Sequence, residues 1–351
     1  MKIEKIQIGN YKVFKNFEID FLDSKNKSLD LIVLAGINGS GKTTLFEYIM
    51  KTFQYDYEKL QGSIQLDTEE LELNTSDKLI IKSHISNYDQ NGDIAFSIFE
   101  KIKYIKAKED ERDIKGEILK FIDFLIYDQE LSAKEAYLEL KQKINTIFDG
   151  FNLEVQFSNI DKNKNIFFTN SLNEKISIDD LSTGEKELLN KVFSLYTSDI
   201  RDSVILIDEP EISLHPSWQN RLIKIYKNFA KQNNNQIIIA THSPQIIAST
   251  PNESLRILVK ENNTIKAISQ NAYGMNVNKA LTDIMGVDEL RDVDVQNQFN
   301  KVKNMIHTDQ YNEKDFHKEY NKLENMMKND NIEFGFLKLE LLKRQKNASN
   351  N

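Results

Sequence analysis

Ser203-Val204-Ile205-Leu206-Ile207-Asp208-Glu209-Pro210-Glu211-Ile212-Ser213-Leu214-His215-Pro216 is an apolar run that ends abruptly in two carboxylates and a proline. A run of β-branched and aliphatic residues without alternation predicts a strand buried on both faces of a parallel sheet. Asp208 and Glu209 then fall at its carboxyl end, where open α/β sheets place their ligands. Adjacent buried acids are unfavourable unless positive charge stands in front of them, and a magnesium-bound nucleotide supplies such charge. Ordinary strands also end in acids, so this stretch needs support from elsewhere in the chain.

The support begins upstream. Leu31-Ile32-Val33-Leu34-Ala35 reads as a second buried strand and runs straight into Gly36-Ile37-Asn38-Gly39-Ser40-Gly41-Lys42-Thr43-Thr44. This is the strand–GxxxxGK[ST]–helix arrangement of a P-loop. Glycines let successive backbone N–H groups converge on a phosphate, and a helix N-terminus adds its dipole. Asn38, Gly39, Ser40, Gly41, Lys42, Thr43 and Thr44 are therefore candidate ATP contacts. Lys42 is expected on the β- and γ-oxygens, and Thr43 and Asp208 on Mg²⁺.

Composition sets the frame. The 351 residues carry 40% hydrophobic and 28% charged residues, no cysteine and a net charge of −8. Disulfides, cysteine-ligated zinc and thiol catalysis are excluded. The acidic balance argues against a surface that coats nucleic acid throughout, although it permits a local basic patch. No apolar run approaches a membrane span, and Met1-Lys2-Ile3-Glu4-Lys5 lacks a signal-peptide core, so a cytoplasmic location away from membranes is expected.

Around the P-loop, the alternation of Ile3, Ile6 and Ile8 and of Phe17, Ile19 and Phe21 predicts an antiparallel edge sheet. Gln54, Gln61, Gln65 and Gln90 are candidates for a γ-phosphate-sensing glutamine, without a spacing that selects one. Residues 95–150 read as a helical insertion, from Ile98, Ile102 and Ile105, although Ile94, Phe96 and Ile98 also alternate like a strand, through Ile118, Ile122, Leu125, Leu140, Ile144 and Ile147. Within it, Lys101 to Lys108 interleaves basic residues with Tyr104. That pattern suits a nucleic-acid backbone, but acids follow in Glu109-Asp110-Glu111, and a solvated face is expected. Residues 152–157 and 165–169 read as a strand pair.

Leu181-Ser182-Thr183-Gly184-Glu185 opens a predicted helix, with Ser182 and Glu185 spaced as a capping box. The same loop is a second anion-binding terminus, which gives the chain two halves of a phosphate clamp. Gln236-Ile237-Ile238-Ile239-Ala240 is a further buried strand, and His242 follows it directly. With the two strands side by side, His242 would stand beside the γ-phosphate.

These residues resemble the ABC ATPase superfamily. Leu181 to Glu185 looks like its signature motif, and the order P-loop, signature, acidic strand, Thr241-His242-Ser243 is also that of the superfamily. The resemblance spans residues 1 to about 255. It implies a P-loop α/β fold with a mostly parallel central sheet. It further implies two heads that sandwich two ATP molecules, so that Ser182 and Gly184 act on the partner copy's nucleotide, with Glu185 a further candidate nucleotide-binding residue of the signature. Glu209 is implied as the general base, and His242 as a contact that senses loss of the γ-phosphate.

Glu209-Pro210-Glu211-Ile212-Ser213-Leu214-His215-Pro216 is similar to the segment found in OLD, RecF and other stand-alone, SMC-related ATPases. Glu185 replaces the glutamine usual in transporter ATPases, which moves the reading away from membrane transport. Tyr273-Gly274-Met275-Asn276-Val277-Asn278, Ile284-Met285-Gly286-Val287 and the charged helical tail resemble PtuA-type ATPases of Septu and some retron anti-phage systems. That resemblance implies a separate HNH nuclease as partner and ATP-dependent control of it. A RecF-like DNA repair clamp, a static ATP-sensing scaffold and a transporter subunit are the competing classes. Asp292-Val293-Asp294 has the spacing of a Toprim nuclease pair but opens a helical pattern, where acids suit the helix dipole. The expected division is an N-terminal lobe (1–94), a helical insertion (95–150), a second ATPase lobe (151–290) and a C-terminal helical partner-binding region (291–351).

Overall fold

The computed structural model describes residues 1–53, 60–67, 69–73, 79–83, 101–106, 113–198, 200–262, 264–287, 292–327 and 332–349. Two compact units emerge, Met1–Met285 and Gly286–Asn351.

The first unit is built on a six-stranded sheet. Its strands are β3 (Leu31–Ala35), β7 (Ile102–Lys106), β11 (Val204–Asp208), β12 (Gln236–Ala240), β13 (Leu255–Glu261) and β14 (Thr264–Ile268), in the order β14-β13-β3-β12-β11-β7. All neighbours are parallel except β13 and β14. The period-2 geometry of a strand sends alternate side chains to opposite faces, and here both faces are dry. Leu31, Val33, Ile205, Ile207, Ile237 and Ile239 join one core cluster. Ile32, Leu34, Val204, Leu206, Ile238 and Ala240 join another. This double burial is why the strands read as unbroken apolar runs.

The second of these clusters is closed by α1 (Lys42–Phe53) and by an antiparallel sheet. That sheet contains β1 (Ile3–Tyr11), β2 (Phe14–Asp20), β4 (Gly62–Leu66), β5 (Glu69–Leu73) and β6 (Leu79–Ser83), in the order β2-β1-β4-β5-β6. Buried polar residues tie the sheets together. Gln236 of β12 accepts from Ile3 N and donates to the Ile3 and Leu29 carbonyls. Arg256 of β13 donates to the Asp20 carboxylate and to the Leu22 carbonyl.

The other cluster is covered by helices α2 (Ile114–Tyr127), α3 (Ala133–Phe151), α4 (Thr183–Thr197), α5 (Pro216–Gln232), α6 (Pro244–Ser249) and α7 (Val277–Asp283). A small antiparallel sheet β10-β9-β8 (Lys175–Ser177, Ile166–Thr169, Gln156–Ile160) completes it.

Two expectations are corrected here. Ile102 and Ile105 belong to a strand, since β7 pairs in parallel with β11 from Ile102↔Val204 to Lys106↔Asp208. Ile98 lies outside the described residues. Ile102 to Lys106 accordingly form the edge strand of the central sheet, with Ile102 buried and Lys103 exposed. The helices that follow pack into the main core, through Ile118, Phe121, Ile122, Leu140, Ile144 and Phe148. The first strand of the predicted pair also starts later than 152–157, because α3 continues to Phe151 and β8 begins at Gln156.

The second unit contains α8 (Val293–His307), α9 (Lys314–Met327) and α10 (Ile332–Ser349) around a core of Val302, Ile306, Phe316, Leu323, Phe334 and Leu337. Asp292 caps α8, accepting from Asp294 N and Val295 N, so the Asp-Val-Asp spacing serves a helix start.

Candidate functional site

The carboxyl ends of β3, β12 and β11 lie side by side, and each delivers one part of the site. The chain leaves β3 through the P-loop, where Gly39 and Gly41 adopt φ of +78° and +94°. A side chain at Gly41 would also stand 2.9 Å from the Phe14 ring at the β1–β2 turn, so glycine is needed on both counts. Lys42 begins α1 and folds back over the loop, donating to the Gly36 carbonyl at 2.7 Å and the Ile37 carbonyl at 3.3 Å. Burial pulls its ammonium pKa down to about 8, against the opposing pull of Glu209, Asp208 and Glu211.

Asp208 ends β11 with its carboxylate between two hydroxyls. Thr43 Oγ1 donates to Oδ2 at 3.1 Å and Tyr104 Oη donates to the same oxygen at 3.3 Å. Burial raises the Asp208 pKa, with Glu209 adding to the rise while the Thr43 and Tyr104 hydroxyls and Lys42 oppose it. The next residue, Glu209, is held in the left-handed backbone region at φ +50°, and its N–H donates to the Ala240 carbonyl. A non-glycine residue at positive φ stores strain that the surrounding structure must enforce; here it turns the chain at the strand end.

His242, two residues beyond β12, bridges the halves. Its Nδ1 lies 3.5 Å from Lys42 Nζ and its Nε2 lies 3.5 Å from Glu209 Oε1. Burial and the Lys42 charge lower its pKa, so it is neutral at pH 7. The tautomer that satisfies both neighbours carries the proton on Nε2 and accepts from Lys42 on Nδ1.

Three contributors had no assigned role in the sequence. Glu211 is buried and accepts from Thr241 Oγ1 at 2.6 Å and from His242 N at 2.9 Å, fixing the backbone that carries His242. Its Oε2 has no hydrogen-bond partner among the described residues, and burial raises its pKa. A third acid in an otherwise apolar stretch was the available signal. Tyr104 depends on pairing across the sheet. Lys191, on α4, donates to the Pro210 and Ile212 carbonyls and so ties that helix to the loop after Glu209.

The signature-like segment makes no hydrogen bond to this cluster among the described residues. Ser182 caps α4: its Oγ accepts from Glu185 N, and the Glu185 carboxylate accepts from Ser182 N at 2.8 Å. The Glu185 carboxylate is thus engaged in the capping box. Gly184 lies against Trp218, where a Cβ would meet the ring at 2.7 Å. Among the described residues, none of the hydrogen bonds of Ser182 or Glu185 reaches the P-loop of the same chain. Of the glutamines, Gln65 lies in β4 and binds Glu4, and the Gln61 carbonyl accepts from Gly9 N; Gln54 and Gln90 lie outside the described residues.

Comparison with known proteins agrees with this geometry. Residues 1–129 match the AAA ATPase domain family, and residues 97–248 match an AAA domain family described with the AbiEii toxin of type IV TA systems. The Septu protein PtuA of Bacillus thuringiensis is 24% identical, over 85% of this chain and 88% of its own. A probable ATPase of retron Vc95 from Vibrio cholerae is 26% identical over 52% of this chain, which spans 38% of that protein. Among solved structures, the SMC head domain of Thermotoga maritima aligns with a TM-score of 0.51 at 18% identity, covering 77% of this chain and all of that one. An SMC head bound to the C-terminal winged-helix domain of ScpA aligns equally well at 15% identity. No helix among the described residues is long and apolar enough to cross a membrane. The chain has the SMC-head-like P-loop fold, matches two AAA ATPase domain families over parts of its length, and is similar to the Septu and retron ATPases.

Proposed function

We propose that this chain hydrolyses ATP in a site completed by a second copy, and that the nucleotide state controls a partner effector, an HNH-type nuclease, in anti-phage defence. The observation that supports this reading is the meeting of Lys42, Thr43, Asp208, Glu209 and His242 at the carboxyl ends of adjacent strands, while the capped start of α4 makes no hydrogen bond to the P-loop among the described residues. An anion-binding helix start that does not serve its own P-loop is available to another copy's nucleotide.

The donor set suits Mg²⁺. Thr43 and Asp208 offer a hydroxyl and a carboxylate oxygen in contact with each other. No group of three metal-ligating side chains exists among the described residues, in keeping with an ion that takes its remaining ligands from phosphates and water. When bound, Mg²⁺ neutralises developing charge on the phosphates. Lys42 then holds the β- and γ-oxygens. Glu209 accepts a proton from the attacking water, whose oxygen bonds to the γ-phosphorus as the bond to the bridging oxygen breaks, leaving ADP and phosphate. His242 holds Glu209 and Lys42 in register through its two ring nitrogens. Lys191 couples α4 to the loop behind Glu209, so engagement of Ser182 and Gly184 by the other copy's ATP is felt at the base.

The depressed Lys42 pKa gives a pH signature. The free chain loses this proton near pH 8, whereas phosphate oxygens favour the charged form, so binding takes up a proton above that pH. Affinity for a non-hydrolysable ATP analogue is expected to be flat from pH 6.5 to 7.5. Above pH 8 it should weaken by up to about tenfold per unit, read by titration at constant ionic strength. A flat profile to pH 10 refutes the assignment.

The partner is tested by expressing the tagged chain with its native flanking genes and identifying stoichiometric companions by mass in Mg²⁺-ATP. A co-purifying nuclease is the expected result. An ATP-dependent dimer that retains DNA and no second protein would replace this reading with a DNA repair clamp.

A further inference from the structure

We propose that the outer face of α5 is a docking surface for the phosphodiester backbone of double-stranded DNA. From Ile212 to Asn252 the chain has no aspartate or glutamate, although the whole sequence carries 54 acids against 46 lysines and arginines. That stretch contains all of α5 and α6. Histidines aside, its only charges are Arg221, Lys224, Lys227 and Lys231, all on α5. At 3.6 residues per turn these four fall within one arc of about 120°, together with Ser217, Asn220 and Asn228. Leu222, Ile223, Ile225, Tyr226 and Phe229 take the other side and are buried.

The four cations are not neutralised within the chain. Lys224 and Lys231 are exposed, Arg221 and Lys227 are half-buried, and none makes an ion pair or side-chain hydrogen bond among the described residues. Other helices pair such charges four residues apart, as Lys143 does with Glu139 and Arg344 with Glu340. Beside the stripe, Ser249 Oγ of α6 donates to Asn220 Oδ1 at 3.2 Å. The flanking helix, Pro244–Ser249, has no charged residue either.

The composition of the face selects the occupant. No large apolar side chain of α5 or α6 is exposed. A stable protein interface has an apolar centre, and a helix that lies in a membrane surface needs an exposed apolar face; α5 offers neither. The arc also lacks an aromatic ring, so the bases of a single strand would find nothing to stack on. Duplex DNA needs none of these, because it presents one negative charge per about 1.7 Å of its axis. Arg221 to Lys231 spans about 15 Å of helix, and its cations recur every three or four residues, so α5 laid along the backbone can meet up to four phosphates. Asn220 and Asn228 add neutral donors of the kind that contact phosphate oxygens. Such contacts hold a duplex without reading its sequence. The surface lies within one chain and needs no nucleotide, so it does not rest on the ATP-sandwich reading.

The test uses the full chain without nucleotide and a fluorescently labelled duplex of arbitrary sequence, read by anisotropy at increasing salt. Up to four phosphate contacts predict a slope of log K against log salt between about −3 and −4, a loss of about 100-fold from 50 to 200 mM. Lys224→Gln with Lys231→Gln should lower that slope by about two and weaken binding at least about tenfold at low salt. Glutamine suits a helix as well as lysine does, so the melting curve and ATP turnover should not change. Lys141→Gln with Lys162→Gln removes the same charge from other exposed positions and should leave the affinity within about twofold. Absence of binding at 50 mM salt, or equal loss in the two double variants, overturns the proposal. So does binding of a single strand or of polyglutamate as tight, charge for charge, as that of the duplex, which would assign the face to another polyanion.

Discussion

Glu209→Gln is expected to lower the ATP turnover number by 10²- to 10⁴-fold, the usual contribution of a positioned general base, while leaving ATP binding intact. The substitution keeps size and shape at a residue whose backbone is already held at φ +50°. Glutamine keeps an amide oxygen where Glu209 Oε1 faces His242 Nε2, so the fold and the His242 position should survive. What is lost is the carboxylate that takes the proton of water. One negative charge also leaves an acid group that includes Asp208 and Glu211, so the anionic nucleotide is repelled less and its affinity should rise severalfold. Slower hydrolysis and tighter binding together predict that the ATP-bound dimer accumulates. Single-turnover kinetics and sedimentation in Mg²⁺-ATP measure the two effects independently. A turnover number within threefold of wild type would remove Glu209 from the role of base.

The site was legible where its chemistry lies in contiguous residues. Gly36 to Thr44 and Ser203 to Glu209 carry their meaning locally, because a phosphate cradle and a buried strand end are each made by one short segment. His242 was legible because β12 is an unbroken apolar run whose end falls next to that of β11. What was missed depends on which strand lies beside which. Ile-Lys-Tyr-Ile-Lys of β7 fits a strand, yet Ile98, Ile102 and Ile105 also share a helical spacing, and no local signal separates the two. Only pairing with β11 settles it and brings the Tyr104 hydroxyl to Asp208. Glu211 lay in plain view, but its role arises from Thr241 and His242, which are 30 residues and more away. Gly184 read as part of an anion-binding loop; its packing against Trp218 adds a steric reason for glycine there.

Lys42→Met should abolish measurable nucleotide binding and at the same time make the empty chain more stable. The first effect follows from removing a cation that serves two phosphates. Charge-assisted hydrogen bonds contribute roughly 1.5–3 kcal/mol each, so affinity should fall by at least about 100-fold. The second follows from the environment of the ammonium. Its pKa is lowered from 10.5 to about 8 by burial, and at 1.36 kcal/mol per pKa unit carrying the proton there costs about 3 kcal/mol. Methionine fills nearly the same volume without charge, although the bonds to the Gly36 and Ile37 carbonyls are lost. The expected net gain is about 1 kcal/mol, a rise of a few degrees in melting temperature. The sign with pH is fixed. The folded wild type binds fewer protons than the unfolded chain between pH 8 and 10.5, so its stability increases with pH across that window. The advantage of the methionine variant should therefore be greatest below pH 8 and shrink toward pH 10.5. Calorimetry of both chains at pH 7 and pH 9.5 checks this. If wild type melts higher at pH 7, Lys42 holds the empty P-loop together, and the loop of Gly39 and Gly41 depends on it before any nucleotide arrives.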